Sequence, residues 1–258
     1  MAVSERPRWT NLAALGLLLA GLGPLLMLLA ILIWGLDTEG DLPFFLGTTA
    51  IALIASFLVW RFGAWAKIVG ILAAILVAMA LFWTAFGLAQ PSSFFDFMPG
   101  ILVLPGALLA IVACIMALLA KRRGQVAARA DGGEKRGIQV VTGVVVLAAL
   151  VSGALSLFTR STAEAGDAAA TATLKDFEFA EGQYEVPGGS EIFVRNDDPF
   201  FHTFTVDELD IDEGFGAGSS KVIDIPQEPG TYVVYCVPHT SEPEEPAEDD
   251  MAATITVT

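Results

Sequence analysis

The first 160 residues contain five long apolar stretches, and these constrain the fold more than any other feature of the sequence. A helix must offer roughly 20 consecutive apolar residues to cross the hydrocarbon core of a bilayer. Each stretch is close to that length, so we predict a bundle of about five transmembrane helices in this part of the chain. The predicted spans are residues 11–34, 42–60, 66–88, 100–120 and 137–158.

The first stretch could also be a secretory signal peptide, because it lies near the N-terminus behind Arg6 and Arg8. A signal peptide has a shorter apolar segment, followed by a cleavage site of small residues. The stretch at residues 11–34 is longer and lacks a clear site of that kind. We therefore predict that it is retained as a membrane span.

Basic residues occur in alternate loops, and this pattern predicts the orientation of the spans. Lys and Arg are enriched in loops on the cytoplasmic side. The two loops at residues 37–41 and 90–99 carry neither Lys nor Arg. We predict that the N-terminus is inside and that everything after Arg160 lies outside the cytoplasmic membrane. The basic positions are Arg6, Arg8, Arg61, Lys67 and several residues of segment 121–136.

The predicted spans carry no Asp, Glu, Lys, Arg or His near their centres. Ionisable residues inside a membrane usually mark ion paths and proton relays, so their absence argues against a pump or an ion-coupled transporter. Without histidines, the spans also cannot hold a haem between two imidazoles. We interpret them as an anchor in the lipid bilayer or as a docking surface for another membrane protein.

The net charge changes sign after residue 160. It is +4 over residues 1–160 and −19 over residues 161–258, which together give the −15 of the whole chain. The C-terminal part would repel phosphate groups, so nucleic acid is excluded as its partner. The small polar residues 161–170 are predicted to form a linker between the two parts.

From Thr171 to the C-terminus, apolar residues alternate with polar ones, which is typical of β-strands. Turn residues separate the candidate strands, for example in Asn196-Asp-Asp-Pro. Many short strands with regular turns indicate a β-sandwich, so we predict an all-β domain at residues 171–258. The predicted strands are residues 172–179, 183–186, 191–196, 202–206, 221–225, 231–235 and 252–257.

Four residues of this domain belong to types that bind copper. The chain has two histidines, His202 and His239, and the domain has one cysteine, Cys236, and one methionine, Met251. A thiolate, two imidazoles and a long thioether contact are the ligands of a blue-copper site. A Cys-x-x-His pair alone also occurs in zinc sites, and a lone cysteine is more often a buried apolar residue. The coincidence of all four residue types favours copper.

Three motifs around these residues resemble the cupredoxin family, with plastocyanin-type members as the nearest pattern. The resemblance covers residues 174–258 and implies a Greek-key β-sandwich. It also implies that one copper ion is bound by His202, Cys236 and His239. Met251 would then be a weak axial ligand. The motifs are Asn196-Asp-Asp-Pro-Phe-Phe-His202-Thr-Phe-Thr-Val, Gly230-Thr-Tyr-x3-Cys236-x2-His239 and Met251-x3-Ile-x-Val.

The region before Met251 departs from the family pattern. In plastocyanin-like members only a few residues separate the second histidine from the methionine, whereas residues 240–250 intervene here. Ala253 stands where the family has a glycine. Met251 could instead be a core residue that opens the last strand. A loop carboxylate or a backbone carbonyl could then take the axial position.

Several residues near the candidate ligands could support the site without binding the metal. Asn196 and Thr203 could hydrogen-bond near the site and hold its loops, as residues behind metal ligands do, or they could be ordinary turn and strand residues. The resemblance implies that electrons enter and leave through an apolar patch at the edge of His239. The candidates for this patch are Phe200, Phe201 and Pro238.

The first functional hypothesis is a membrane-anchored blue-copper protein that carries single electrons outside the cytoplasmic membrane. Such a protein is a carrier and not an enzyme, because no bond of a substrate is made or broken. Its partner would be a redox protein such as a c-type cytochrome, or a membrane oxidase or reductase. The acidic loop at residues 240–250 could steer a basic partner, or it could only aid solubility.

Two alternatives remain open. A module for copper delivery or storage at the membrane surface would use the same ligands, and the acidic loop favours it somewhat. A zinc or thiol hydrolase would use Cys236 and His239. The sequence weighs against the hydrolase, because it has no evident oxyanion-hole motif and no evident group to orient a base.

Overall fold

The computed structural model describes residues 9–36, 41–123, 132–247 and 250–258. The chain divides into two compact units. One is helical and ends at Ser152, and the other is formed by Ser92–Phe94 and Gly153–Thr258. Some residues used to predict topology and loop charge lie outside the described residues, namely Arg6, Arg8, 37–40, 124–131, Glu248 and Asp249.

The described residues of the N-terminal region form five α-helices and a short 3-10 helix. By length and composition, α1, α2, α4 and α5 are apolar enough to cross a membrane, and α3 with the 3-10 helix adds a fifth span if the pair is taken as one. Helix α4 begins earlier than the predicted span at residues 100–120. The helices are α1 (Thr10–Trp34), α2 (Asp41–Arg61), α3 (Ala64–Ala80), α4 (Phe94–Arg122) and α5 (Gly132–Phe158), and the 3-10 helix is Phe82–Ala89.

The segment predicted as the third span, residues 66–88, consists of two pieces. Helix α3 ends at Ala80 and the 3-10 helix begins at Phe82, with a bend of 59° between them. The 3-10 piece packs tightly against α4, since a Cβ on Gly100 would lie 2.6 Å from the carbonyl oxygen of Thr84. Small residues allow helix backbones in membranes to approach this closely.

In the C-terminal unit, the residues that the structure describes form nine strands in two sheets. One sheet has the order β2-β1-β4-β7 and the other the order β3-β9-β8-β5-β6. The pairs β1–β4 and β3–β9 are parallel, and the other pairs are antiparallel. The strands are β1 (Ala170–Lys175), β2 (Glu178–Phe179), β3 (Gln183–Val186), β4 (Glu191–Asn196), β5 (His202–Val206), β6 (Ile211–Phe215), β7 (Ser220–Asp224), β8 (Gly230–Tyr235) and β9 (Ala252–Val257).

The core of this unit lies between the two sheets. Inward-facing residues alternate along β3 and β4, and β5 is buried along its whole length. Cys236 and Met251 belong to the same buried cluster as Phe204, Val234 and Ile255. The predicted fold class, apolar helices followed by an all-β sandwich, is therefore confirmed, and one end of the sandwich core carries two of the candidate ligands.

Two features differ from the predicted strand pattern. The segment 172–179 is a hairpin of β1 and β2, and not one strand. Strand β6 was not among the predicted strands. Its two buried residues, Ile211 and Phe215, are separated by Asp212, Glu213 and Gly214. So polar a segment gives a weak strand signal at the level of the sequence.

The segment predicted as a linker makes contacts with the sandwich at its start. The backbone of Ala163 donates a hydrogen bond to the carbonyl oxygen of Ser220 at 3.2 Å, and the Ser220 hydroxyl donates to Ala163 at 2.8 Å. Ser220 also donates its backbone N–H to Ser161 at 2.9 Å. The first residues after α5 are thus held along the start of β7.

Candidate metal centre

Three ligand-type side chains converge at one end of the sandwich. The Nδ1 atoms of His202 and His239 are 3.2 Å apart. The sulfur of Cys236 lies 3.6 Å from the His202 Nδ1 and 3.3 Å from the His239 Nδ1. His202 and Cys236 are fully buried, whereas His239 is only partly buried. Among the described residues, this is the cluster of His, Cys and carboxylate groups that could hold a metal ion.

The antiparallel pairing of β5 with β8 brings the candidate ligands together. His202 opens β5, and Cys236 directly follows β8. The backbone N–H of Thr203 donates to the Cys236 sulfur at 3.3 Å. The backbone N–H of Val237 donates in turn to the Thr203 hydroxyl oxygen at 2.9 Å. These two contacts fix the position of the thiol relative to the start of β5.

A single 3-10 turn, Val237–His239, carries the chain from the thiol to the second imidazole. The N–H of His239 donates to the carbonyl oxygen of Cys236 at 3.0 Å, which closes the turn. Pro238 lies inside it and fixes one backbone dihedral angle. Residues three apart in such a turn lie on the same side, so both side chains face one point.

The three atoms fit a metal ion. A point equidistant from atoms at these three separations is about 2.0 Å from each of them, close to the bond lengths of roughly 2.0–2.3 Å that imidazole nitrogen and thiolate sulfur make to a metal. One thiolate and two imidazoles in a trigonal arrangement are the donor set of blue-copper sites. This cluster therefore supports a copper ion as the cofactor.

A buried carboxylate, Asp198, holds the first imidazole from behind. Its Oδ2 lies 2.8 Å from the Nε2 of His202, and both side chains are almost fully buried. A carboxylate at that position accepts a hydrogen bond from the Nε2–H group, so the proton stays on Nε2 and the lone pair of Nδ1 faces the cluster. The sequence did not single out Asp198, since it stands in a polar turn beside Asp197, which is the partner of Arg195 at 3.0 Å.

The electrostatic environment favours an ionised Asp198 and a neutral His239. Burial alone raises the pKa of Asp198, but the hydrogen bond and charge of His202 and two backbone N–H groups outweigh it, and the pKa ends below its usual range. Burial, with a smaller effect from His202, lowers the pKa of His239 to about 3. In the metal-free protein His239 thus keeps an unprotonated ring that can accept a metal.

Met251 reaches the cluster through its backbone. Its N–H donates to the carbonyl oxygen of His239 and its own carbonyl oxygen accepts the N–H of Cys236, both at 3.0 Å. The hydroxyl of Thr240 donates to the same carbonyl oxygen at 2.9 Å. The Met251 side chain is fully buried within the core cluster that includes Cys236.

The acidic loop before Met251 is closed at its base. The carboxylate of Asp250 accepts the backbone N–H groups of Ser241 at 3.1 Å and Ala247 at 2.9 Å. The hydroxyl of Ser241 also lies 3.2 Å from both oxygens of this carboxylate. Ser241 and Asp250, the two ends of this segment, therefore meet, so β9 starts beside β8.

The two residues predicted to support the site make different contacts. Asn196 is buried, and its side-chain amide donates to the carbonyl oxygens of Phe200 at 2.7 Å and of Phe215 and Gly216 at 3.1 Å. Its side-chain oxygen accepts the N–H of Asp198 at 2.9 Å. Asn196 thus shapes the loop that leads to His202, while Thr203 contacts the candidate ligand Cys236 directly.

The residues predicted as a surface patch lie at different depths. Phe200 is buried, Phe201 is partly buried and Pro238 is exposed. Val237 is 52% exposed and lies next to Pro238 on the same turn. The apolar surface beside His239 therefore includes Val237 and Pro238, and Phe200 belongs to the interior.

Phe177, which the sequence did not single out, packs against both imidazoles. Its ring centroid is 5.6 Å from that of His202 and 5.0 Å from that of His239, with nearly perpendicular ring planes. It also lies 5.1 Å from the ring of Phe200. No signal near Phe177 pointed to this role, because β1 and β2 were predicted as one strand.

One comparison with known proteins agrees with this architecture. A family model described as a cupredoxin-like domain matches residues 146–244. The matched range contains His202, Cys236 and His239, and it ends before Met251. None of the curated proteins matches the chain significantly.

Several solved structures are similar to part of the chain. An oxidised amicyanin mutant shares 16% identity at a TM-score of 0.31, over 38% of this chain and 90% of that chain. A reduced amicyanin mutant shares 19% identity at the same TM-score and coverage. A purple cupredoxin from Nitrosopumilus maritimus shares 19% identity at a TM-score of 0.25, over 31% of this chain and 82% of that chain.

The family match and the His–Cys–His cluster together support binding of a single copper ion. Both lie in the unit that follows the apolar helices. The C-terminal unit of this chain is therefore a cupredoxin-like domain, joined to an N-terminal region with four helices apolar enough to span a membrane.

Proposed function

We propose that the chain is a membrane-anchored type 1 copper protein that carries single electrons outside the cytoplasmic membrane. The observation that supports this most is the triangle of His202 Nδ1, Cys236 Sγ and His239 Nδ1, with sides of 3.2–3.6 Å. In this proposal Met251 is the weak axial ligand. Copper would supply the one-electron chemistry, because Cu(II) and Cu(I) both accept this donor set.

The surroundings of the cluster favour a rigid site. The backbone N–H of Thr203 donates to the thiol sulfur, and the Thr203 hydroxyl accepts the N–H of Val237. Asp198 holds the imidazole of His202. Burial of His202 and Cys236 excludes water from most of the site. Ligands that are fixed in this way move little when an electron is gained or lost, which is the property that a fast electron carrier needs.

The partly buried His239 is the proposed route for electrons. The exposed residues beside it, Val237 and Pro238, offer an apolar surface on which a partner can approach the ring. Residues 161–258 carry a net charge of −19, which favours a partner with a basic face, such as a c-type cytochrome. The alternative redox partner is a membrane oxidase or reductase, which would bind the helical region.

Burial of the candidate ligands also favours electron transfer over copper delivery. A delivery or storage module must release its ion to an acceptor, and two fully enclosed ligands oppose rapid exchange. We therefore place electron transfer first. Delivery remains the alternative, and it predicts that the protein binds copper as Cu(I) and passes it on.

Copper titration of the full-length protein in detergent tests the proposal. We expect intense visible absorption from the thiolate-to-copper bond, a reversible one-electron wave, and loss of the absorption in Cys236→Ser. Cys114→Ser is the matched control, because Cys114 is the second cysteine of the chain and lies buried in α4. A colourless protein that binds zinc in preference to copper would rule out electron transfer, and transfer of Cu(I) to an acceptor without a reversible wave would establish delivery.

The proposed orientation has a separate test. With the N-terminus inside, α5 leads the chain outwards and the C-terminal domain lies outside the cytoplasmic membrane. Protease added to intact spheroplasts should then remove an epitope placed after Thr258, and an epitope at the N-terminus should survive. Protection of the C-terminal epitope would reverse the orientation.

A further inference from the structure

Asp198 links the imidazole of His202 to the turn at Asp176 and Phe177. Its side chain is 1% exposed and accepts three hydrogen bonds from two parts of the chain. Oδ2 accepts from the Nε2 of His202 at 2.8 Å and from the N–H of Phe177 at 3.1 Å, and Oδ1 accepts from the N–H of Asp176 at 2.9 Å. A buried charge is retained only where such partners compensate for its lost hydration.

The turn that donates two of these bonds is strained. Asp176 and Phe177 connect β1 to β2 with φ values of 58° and 61°, in the left-handed region. This conformation is uncommon for residues other than glycine, and for a bulky residue it needs compensation from its surroundings. Successive backbone N–H groups in a turn form a concave site for an anion, and the carboxylate of Asp198 occupies that site.

The strained turn places an aromatic ring over the metal centre. The Phe177 ring packs edge to face against His202 at 5.6 Å and His239 at 5.0 Å between centroids. A turn with different backbone angles would point this side chain elsewhere. The carboxylate of Asp198 thus contacts His202 on one side. On the other side it contacts the backbone turn that positions the Phe177 ring.

We propose that Asp198 is a positioning residue that orients His202 and, through the Asp176–Phe177 turn, holds Phe177 as a cover over both imidazoles. This inference rests on the proposed copper site. The buried negative charge also favours the more positive oxidised ion, so Asp198 lowers the reduction potential of the centre. Asn cannot replace it, because an amide has one acceptor atom and would face an N–H group with its own NH₂.

The tautomer of His202 can be measured without copper. The chain contains two histidines, so ¹⁵N-histidine labelling of the metal-free full-length protein gives four ring nitrogens in the NMR spectrum. We expect the His202 proton on Nε2 in the native protein, and a mixture of tautomers in Asp198→Ala. A proton on Nδ1 in the native protein overturns the proposal. A protein that binds no copper but shows the Nε2 tautomer would refute the proposed function and leave the orienting role intact.

The reduction potential tests the charge of Asp198. In Asp198→Asn we expect the equilibrium between the two copper states to shift at least tenfold towards Cu(I), which is about 59 mV for a one-electron couple. Asp197→Asn is the matched control, since the Asp197 side chain is 40% exposed and its charge is screened by solvent. Equal shifts in both variants would overturn the claim, because they would reflect net charge alone.

Removal of the Phe177 ring tests whether this residue covers the copper site. Phe177→Gly keeps a residue that tolerates the left-handed turn, so the Asp198 contacts remain possible. We expect a chelator to extract copper at least tenfold faster from this variant, with the His202 tautomer unchanged. Extraction within twofold of the native rate would show that Phe177 is not a cover.

Discussion

The backbone N–H of Met251 donates to the carbonyl oxygen of His239 at 3.0 Å, although residues 240–250 lie between them. The Met251 carbonyl oxygen accepts the N–H of Cys236, so this one residue is tied to both ends of the Cys236–His239 turn. Asp250 closes the intervening loop by hydrogen bonds to Ser241 and Ala247. The length of the acidic loop is thus no obstacle to a methionine beside the cluster.

Replacement of Met251 tests its assignment as the axial ligand. Met251→Leu keeps most of the side-chain volume, so the stability should fall by less than about 1.5 kcal/mol. Loss of a thioether donor removes more stabilisation from the electron-poor oxidised ion than from the reduced ion. We therefore expect a higher reduction potential and an altered spectrum, with the thiolate absorption retained.

Met98→Leu, in the helical unit, is the control for that experiment. It should leave both the potential and the spectrum unchanged. An unchanged spectrum and potential in Met251→Leu would make Met251 a core residue, and the axial position would belong to another group.

Asn196→Ala should destabilise the sandwich more than any substitution on its surface. The change removes donors to three carbonyl oxygens, including those of Phe200 and Phe215, and an acceptor for the N–H of Asp198. Each buried group left without a partner costs about 1–3 kcal/mol, and partial relaxation should hold the total near 3 kcal/mol. Hydrogen exchange of the β5 and β8 amides would report the loss.

Asp197→Ala is the matched control for Asn196→Ala, because it lies next in the chain and is exposed. Its effect on amide exchange should be below about 0.5 kcal/mol. Equal effects of the two substitutions would contradict a special role for Asn196.

Thr203→Val should loosen the turn that carries His239. Valine keeps the shape of the side chain but lacks the hydroxyl oxygen that accepts the N–H of Val237 at 2.9 Å. The Thr203 hydroxyl also accepts from the Thr205 hydroxyl at 2.9 Å, but Thr205 keeps its contact with Asp212 at 3.0 Å. Loss of the Val237 hydrogen bond costs about 1 kcal/mol, so copper should dissociate roughly fivefold faster. The backbone N–H to the Cys236 sulfur is retained, and the visible absorption should therefore persist.

Thr231→Val, at an exposed position of β8, controls for the loss of a hydroxyl group. Its copper dissociation rate should equal that of the native protein. If Thr203→Val also left the rate unchanged, the Val237 contact would have no part in holding the site.

Acidification should destabilise the metal-free protein through His239. Its pKa is lowered to about 3 by burial and by His202, whereas an unfolded histidine has a pKa of about 6.5. Between these two pKa values the unfolded chain binds a proton that the folded chain does not. The contribution of His239 to the free energy of unfolding is therefore complete above pH 6.5 and decreases as the pH falls. The slope approaches about 1.4 kcal/mol per pH unit and vanishes below about pH 3.

His239→Gln separates this effect from the carboxylates, which titrate mainly below pH 5. Unfolding of the metal-free native protein and of His239→Gln would be compared between pH 6.5 and 5. The slope should be steeper in the native protein. Identical slopes would mean that His239 has an ordinary pKa in the folded state.

Much of the site could be predicted from the sequence because its ligand types are rare in this chain. The chain has two histidines, and its C-terminal domain has one cysteine. The structure brings these three residues, His202, Cys236 and His239, together. Asp198 and Phe177 were missed for a physical reason. An aspartate in a polar turn and a phenylalanine in a strand are ordinary locally, and their roles arise only when β1–β2 folds against the loop before β5.

The sequence by itself determined the apolar helices, the change to an acidic all-β domain and the candidate ligands. These follow from local properties, namely the length of apolar runs, the alternation of residues and the chemistry of side chains. Only the tertiary structure decided that Met251 lies beside Cys236, that Asp198 is buried against His202, and that Phe177 packs against both imidazoles. Those relations depend on strand pairing and loop closure between distant segments, which local patterns do not encode.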